Sequence, residues 1–233
     1  MRFGLLLALF LSVAANPVNS WAGKVYRVVV FGDSITQGYQ LQPQDAFPAR
    51  LQQKLRAMGY DAIEVINMSK VGAATAAATN DTQSVIQKLP DVVIVQLGYN
   101  DTRRGVLPTS VTSSLNMIVG ELKRAGIYVV LAGINAPATL GEDYSYQILQ
   151  SFYVVAKENN VPLYPNIVEG IHNSSSLTLA DGIHPNSAGV DVLVNGLVPL
   201  VDAGLRWRYE VYQSELEQQK KAQQGSITAP PPP

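Results

Sequence analysis

The sequence predicts an α/β protein in which a five-stranded parallel sheet is sandwiched between two layers of helices. Three observations carry that prediction. Short β-branched runs alternate with longer stretches of helical periodicity along most of the chain. The first run, "VYRVVVF" (25–31), is apolar almost without interruption, as expected of a strand covered on both faces. The 233 residues are 47% hydrophobic and only 15% charged, enough apolar material for one sizeable core.

The elements follow in order. After strand one comes "AFPARLQQKLRAMGY", where Leu51, Leu55 and Met58 recur at helical spacing, Pro48 is tolerated in a first turn and Gly59 marks the stop. "AIEVIN" (62–67) predicts the second strand and 81–88 a helix. "DVVIVQLG" (91–98) predicts the third strand, followed by a helix over 109–125. "IYVVLAGI" (127–134), a helix over 144–159, "VPLYP" (161–165) and a last helix over 187–203 complete the alternation. Such a chain needs right-handed crossovers, which place helices on both sheet faces. Ligands of these sheets gather at the carboxyl ends of the strands. No internal repeat is visible.

The two ends differ from this body. Arg2, the apolar run from Phe3 to Val13 and the small residues after it predict a cleaved export signal over 1–22. Cleavage after Ala22 is the first expectation and after Ala15 the second. The run is shorter than the roughly 20 residues a spanning helix needs, and no later segment reads as long and apolar enough to cross. The mature chain is therefore expected to carry no transmembrane segment and to be periplasmic or secreted. The body is expected over 23–204. From Leu205 the composition turns to Gln, Glu and Lys, which predicts a polar helical extension over 205–224 and a disordered, Pro-rich tail over 225–233. Leu205, Trp207, Val211, Tyr212 and Leu216 give that extension part of an apolar face, for packing on its own domain or for a lipid surface.

Charge and composition exclude several functions. A formal net charge of −1 offers no positive field for nucleic acid or acidic membranes. Zero cysteine rules out disulfides, a thiol nucleophile and thiolate metal sites. The two histidines lie far apart without a nearby carboxylate cluster, so neither a metal nor any other cofactor is expected.

Three short motifs remain, each in the loop after a different strand or candidate strand. "GDS" places Ser34 directly after strand one. Alone, such a tripeptide is a common turn. "GYND" ends strand three and sets Asn100 on the same rim, where its amide could cap a helix or donate to a developing oxyanion. "ADGIHPN" holds Asp181 three residues before His184. A serine hydroxyl is a weak nucleophile that needs an adjacent base, and the base needs a third group to orient it. His184 and Asp181 suit those roles, whereas His172, in "EGIHNSSS", has no such pattern and reads as a surface residue.

"GDSITQGY", a glycine in "VINMSKVGAA", "GYND" and "DGIHP" together resemble, in order and spacing, the GDSL or SGNH hydrolases. Within that superfamily the text "LGYNDTRRG" is similar to the bacterial exported arylesterase, acyl-thioesterase and lysophospholipase group. The resemblance spans about 25–200. It implies the flavodoxin-like, three-layer SGNH hydrolase fold and hydrolysis of small-molecule esters or thioesters, lysophospholipids among them, through an acyl-enzyme. It further implies Ser34 as nucleophile, His184 as general base, Asp181 as its orienter, and an oxyanion hole from Ser34 N–H, Gly72 N–H and the Asn100 side chain. The loop "INAPATLGEDY" corresponds to a segment lining the acyl site, which adds Ala136, Pro137 and Leu140 as substrate-binding residues. Tyr99, which departs from the smaller residue common at its position, is added as a fourth.

Absence of "G-x-S-x-G" separates this chain from the nucleophile elbow of the α/β-hydrolases. Two other functions fit the same residues: a carbohydrate O-deacetylase of the same superfamily, and a non-catalytic binding protein on the hydrolase fold. Arg103 and Arg104 are either solvated or contacts for a substrate phosphate or carboxylate. Oligomeric state is not legible.

Overall fold

The computed structural model describes residues 24–227. Five strands form one parallel sheet in the order β2-β1-β3-β4-β5: β1 (Tyr26–Gly32), β2 (Ile63–Asn67), β3 (Val92–Gln96), β4 (Tyr128–Ala132) and β5 (Leu163–Tyr164). The register pairs Val28 with Val65 and with Val92, and Leu131 with Leu163. This is the flavodoxin-like order, and its direction reverses between β1 and β3. Val28, Val29 and Val30 of β1 and Val92 to Val95 of β3 are fully buried, so the uninterrupted apolar runs do mark strands covered on both faces.

Among the described residues, eight α-helices accompany them: α1 (Ser34–Gln37), α2 (Phe47–Ala57), α3 (Thr75–Ala78), α4 (Thr82–Ile86), α5 (Tyr99–Arg103), α6 (Pro108–Arg124), α7 (Glu142–Asn159) and α8 (Ser187–Ile227). Helices α2 and α8 pack together in one layer, while α6 packs on α3, α4 and α7 in the other. Leu51 and Leu55 of α2 are fully buried, but Met58 is exposed at the helix end, beyond its apolar stripe.

Three expectations need correction. The helix expected over 81–88 begins earlier, as α3, a 3-10 turn and α4, because the Asp101 carboxylate accepts hydrogen bonds from the Thr75 amide and hydroxyl at the start of α3. Ser34 and Tyr99 each open a one-turn helix, α1 and α5. The last helix does not stop at Ala203: α8 runs on through the expected extension and into 225–227, and 228–233 lie outside the described residues. Gly204 lies against the Tyr128 ring and Leu205 is fully buried, so the packed face crosses the point where composition shifts. Gln, Glu and Lys are then good helix formers and supply no stop.

Read as one helix, Ser187–Gln223 is long and apolar enough to cross a membrane, contrary to the expectation that no later segment is. Half of its most apolar stretch is buried in the protein, where Val190, Leu193, Leu197, Val201 and Leu205 face the core. The expected export signal over 1–22 lies outside the described residues.

Candidate active site

Strand β1 ends in Gly32, where an added Cβ would meet Thr36 Oγ1 at 2.2 Å and the Gln96 carbonyl at 2.8 Å. Only glycine lets the chain pass this close to β3 before it turns into α1. Asp33 caps α1, its carboxylate accepting from the Ile35 amide at 3.0 Å, and Ser34 is the first helical residue. The nucleophile candidate is thus held at the carboxyl end of β1, beside the point where strand order reverses.

His184 reaches it from the loop before α8. Its Nε2 lies 2.9 Å from Ser34 Oγ, and its Nδ1 lies 2.6 Å from Asp181 Oδ2. The other oxygen, Asp181 Oδ1, accepts from the Ile183 and His184 amides at 2.9 and 3.0 Å, so an Asx turn fixes the carboxylate before it meets the ring. Desolvation works against the charge on Asp181, but the hydrogen bonds from the imidazole and the two amides outweigh it and hold its pKa at about 2. An ionised carboxylate keeps the imidazole proton on Nδ1, which leaves Nε2 as an acceptor for the serine proton.

Asn100 stands on α5 at the end of β3. Its Nδ2 donates to the Ala73 carbonyl at 3.0 Å and lies 3.5 Å from Asp33 Oδ2. Gly72 sits one residue before Ala73 in a left-handed conformation, φ +77°, and its carbonyl accepts from Arg104 at 3.1 Å. Buried Asp101 ties this loop to α5 through Thr75. The loop after β2 and the helix after β3 are therefore joined beside Ser34, which brings Gly72 and Asn100 to the same rim. Arg104 contacts protein backbone, whereas Arg103 lines the neighbouring cleft.

That cleft, of about 800 Å³, opens next to His184, with Gly182 and Ile183 in its wall. Tyr99, Ala136, Pro137 and Leu140, the four residues expected to meet substrate, all line it. So does His172, which corrects its reading as a surface residue. The ring is half-buried, its Nε2 has no hydrogen-bond partner among the described residues, and it stands edge-on to Tyr99 with centroids 5.6 Å apart. Burial, and secondarily His184, push its pKa down and favour the neutral ring. Nothing in the neighbouring residues of "EGIHNSSS" signals this, because the partner comes from α5. Asp33, fully buried, is raised to about 7: desolvation, to which the nearby Asp101 adds, outweighs the hydrogen bond from the Ile35 amide and the influence of the adjacent Gln96 side chain.

A parallel sheet that carries a hydroxyl–imidazole–carboxylate relay at its switch point belongs to the class of serine-type hydrolases. Sequence comparison narrows the class. Residues 30–192 match the GDSL-like lipase/acylhydrolase family, and the chain belongs to that family. It is 32% identical over 160 residues to an arylesterase of Vibrio mimicus, covering 68% of this chain and 80% of the relative. It is 30% identical over 180 residues to thioesterase 1/protease 1/lysophospholipase L1 of Escherichia coli K12, covering 75% and 85%. The crystal structure of TesA superposes with a TM-score of 0.73 at 28% identity, over 76% of this chain and 99% of TesA. The chain is an ester-hydrolysing enzyme with the SGNH hydrolase fold.

Proposed function

We propose that the enzyme cleaves carboxylic esters and thioesters through an acyl-enzyme on Ser34, with His184 as general base and Asp181 as its orienter. The contact that carries this reading is the 2.9 Å approach of Ser34 Oγ to His184 Nε2, with Asp181 on the far nitrogen. Ser34 Oγ bonds to the substrate carbonyl carbon while its proton passes to His184 Nε2. Ser34 N–H, Gly72 N–H and the Asn100 amide stabilise the oxyanion. The C–O or C–S bond then breaks and Nε2 returns the proton to the departing alkoxide or thiolate. Water attacks the acyl-serine, gives a proton to Nε2, and the proton goes back to Ser34 Oγ as the acid leaves.

The wall formed by Tyr99, Ala136, Pro137 and Leu140 receives the acyl group, which suits aryl and acyl esters and lysophospholipids. The apolar leader over 1–22 supports export to the periplasm or beyond, with α8 remaining folded against the sheet in the mature chain. The body then comprises 23–204, with the rest of α8 as an extension. A series of p-nitrophenyl esters and acyl thioesters of increasing chain length, run beside Ser34→Ala, tests the proposal. Turnover that falls by at least about 10³-fold on every substrate in the variant is expected. Comparable turnover by both proteins refutes it.

A further inference from the structure

Tyr39 lies against His184, with ring centroids 4.3 Å apart and planes tilted by 37°. The segment that places it is the one that carries Ser34. Helix α1 ends after one turn at Gly38, φ +93°, where an added Cβ would meet the Ala46 Cβ at 2.4 Å. No other residue fits that turn. Gln40 follows with φ +57°, and its Nε2 donates to the Tyr39 hydroxyl at 3.2 Å. A non-glycine residue held at positive φ beside a reacting centre marks a turn whose shape the surroundings impose.

Two hydrogen bonds, at Nδ1 and Nε2, hold the edge of the His184 ring. The Tyr39 ring packs on its face and so resists displacement of the imidazole out of its plane. Charge adds a second effect: an aromatic face attracts a cation within about 6 Å of its centroid, and it attracts a neutral imidazole less. The imidazole becomes a cation only after Ser34 gives up its proton, so this attraction grows toward the transition state.

We propose that Tyr39 is a positioning residue for the acyl-transfer reaction, its ring face holding the His184 imidazole in plane and stabilising the imidazolium. The inference rests on the proposed roles of Ser34 and His184. It adds a fourth group, delivered by the nucleophile's own turn. Among the described residues, Asp181 on its own loop hydrogen-bonds the imidazole and His172 interacts with it electrostatically.

The test is steady-state kinetics of the full chain on p-nitrophenyl butyrate across pH. Tyr39→Leu is expected to lower kcat by about 3- to 30-fold with KM within about twofold. The acidic limb of kcat/KM is expected to move to lower pH, because the imidazolium has lost its support. Tyr39→Phe, which keeps the ring, recovers most of the loss. If the leucine variant fails to fold, pentafluorophenylalanine at position 39 replaces it: the shape is that of phenylalanine and the quadrupole is reversed, so kcat should fall below that of Tyr39→Phe. Unchanged kcat in the leucine or fluorinated variant overturns the proposal. So does an acidic limb that moves to higher pH, the result expected of a ring that only shields the imidazole from water. Failure of the underlying mechanism is distinguishable, because Ser34→Ala would then match the wild type whatever stands at position 39.

Discussion

The two rims of the sheet each carry a cleft and an aspartate-centred cluster, and they differ in what the aspartate meets. At the amino-end rim, a cleft of about 600 Å³ is lined by Lys24, Arg208 and Trp207. Beside it, Asp91 accepts from Lys24 Nζ at 2.6 Å, Arg208 Nε at 3.3 Å and the Arg27 amide at 2.9 Å. Its partners are permanent cations and a backbone amide, so the cluster closes on itself and ties the start of β1 to the far part of α8. At the carboxyl-end rim, the partner of Asp181 is an imidazole, which can exchange a proton and whose other nitrogen meets a hydroxyl. The lesson is that an aspartate ending on fixed cations makes a structural tie, whereas one ending on a titratable ring passes its polarity to a third group.

Substitutions at the two rims should separate accordingly. The largest of those not yet considered is Asn100→Ala, expected to lower kcat by roughly 10²- to 10³-fold, since one proposed oxyanion donor is removed. Single-turnover kinetics with a loss under fivefold would remove Asn100 from the oxyanion hole. Asp91→Ala should do the reverse. It leaves partly buried Lys24 without this carboxylate and Arg208 with Glu215 alone, so Tm should fall by roughly 5–10 °C while turnover stays within twofold. Thermal unfolding with no shift would show that the lower cluster ties nothing.

A smaller effect sharpens the contrast within the upper rim. Asp33 binds its proton more tightly folded, at about 7, than unfolded, near 3.9. Its contribution to stability is therefore full below the unfolded value and lost as pH rises through about 7. Asp33→Asn keeps a capping oxygen for the Ile35 amide but carries no charge. Its Tm should exceed that of the wild type by roughly 5 °C at pH 8, with the gap closing toward pH 4. A gap that widens on acidification would reverse the sign of this account.

The sequence made the rim legible because Ser34 and Asn100 follow β1 and β3 closely in the chain, and because Asp181 and His184 stand three residues apart just before α8. Ser34, Asn100 and the Asp181/His184 pair could be placed from motif and topology alone, Ala136, Pro137 and Leu140 were placed at the cleft by the resemblance, and Tyr99 by its departure from it. What stayed hidden depends on partners brought together by folding. Asp101 reaching Thr75, Tyr39 lying on His184 and His172 turning toward Tyr99 leave no local pattern. The end of α8 was misread for a different reason. A change from apolar to charged residues marks the end of a buried face, and a helix made of good formers continues past it.

The account depends on Ser34 being activated by His184, and covalent labelling reads that most directly. The full chain treated with a fluorophosphonate should carry one adduct on the peptide containing Ser34, by mass spectrometry. The rate should collapse in His184→Ala, and no adduct should form in Ser34→Ala. Labelling at another residue, or an unchanged rate without His184, would contradict it.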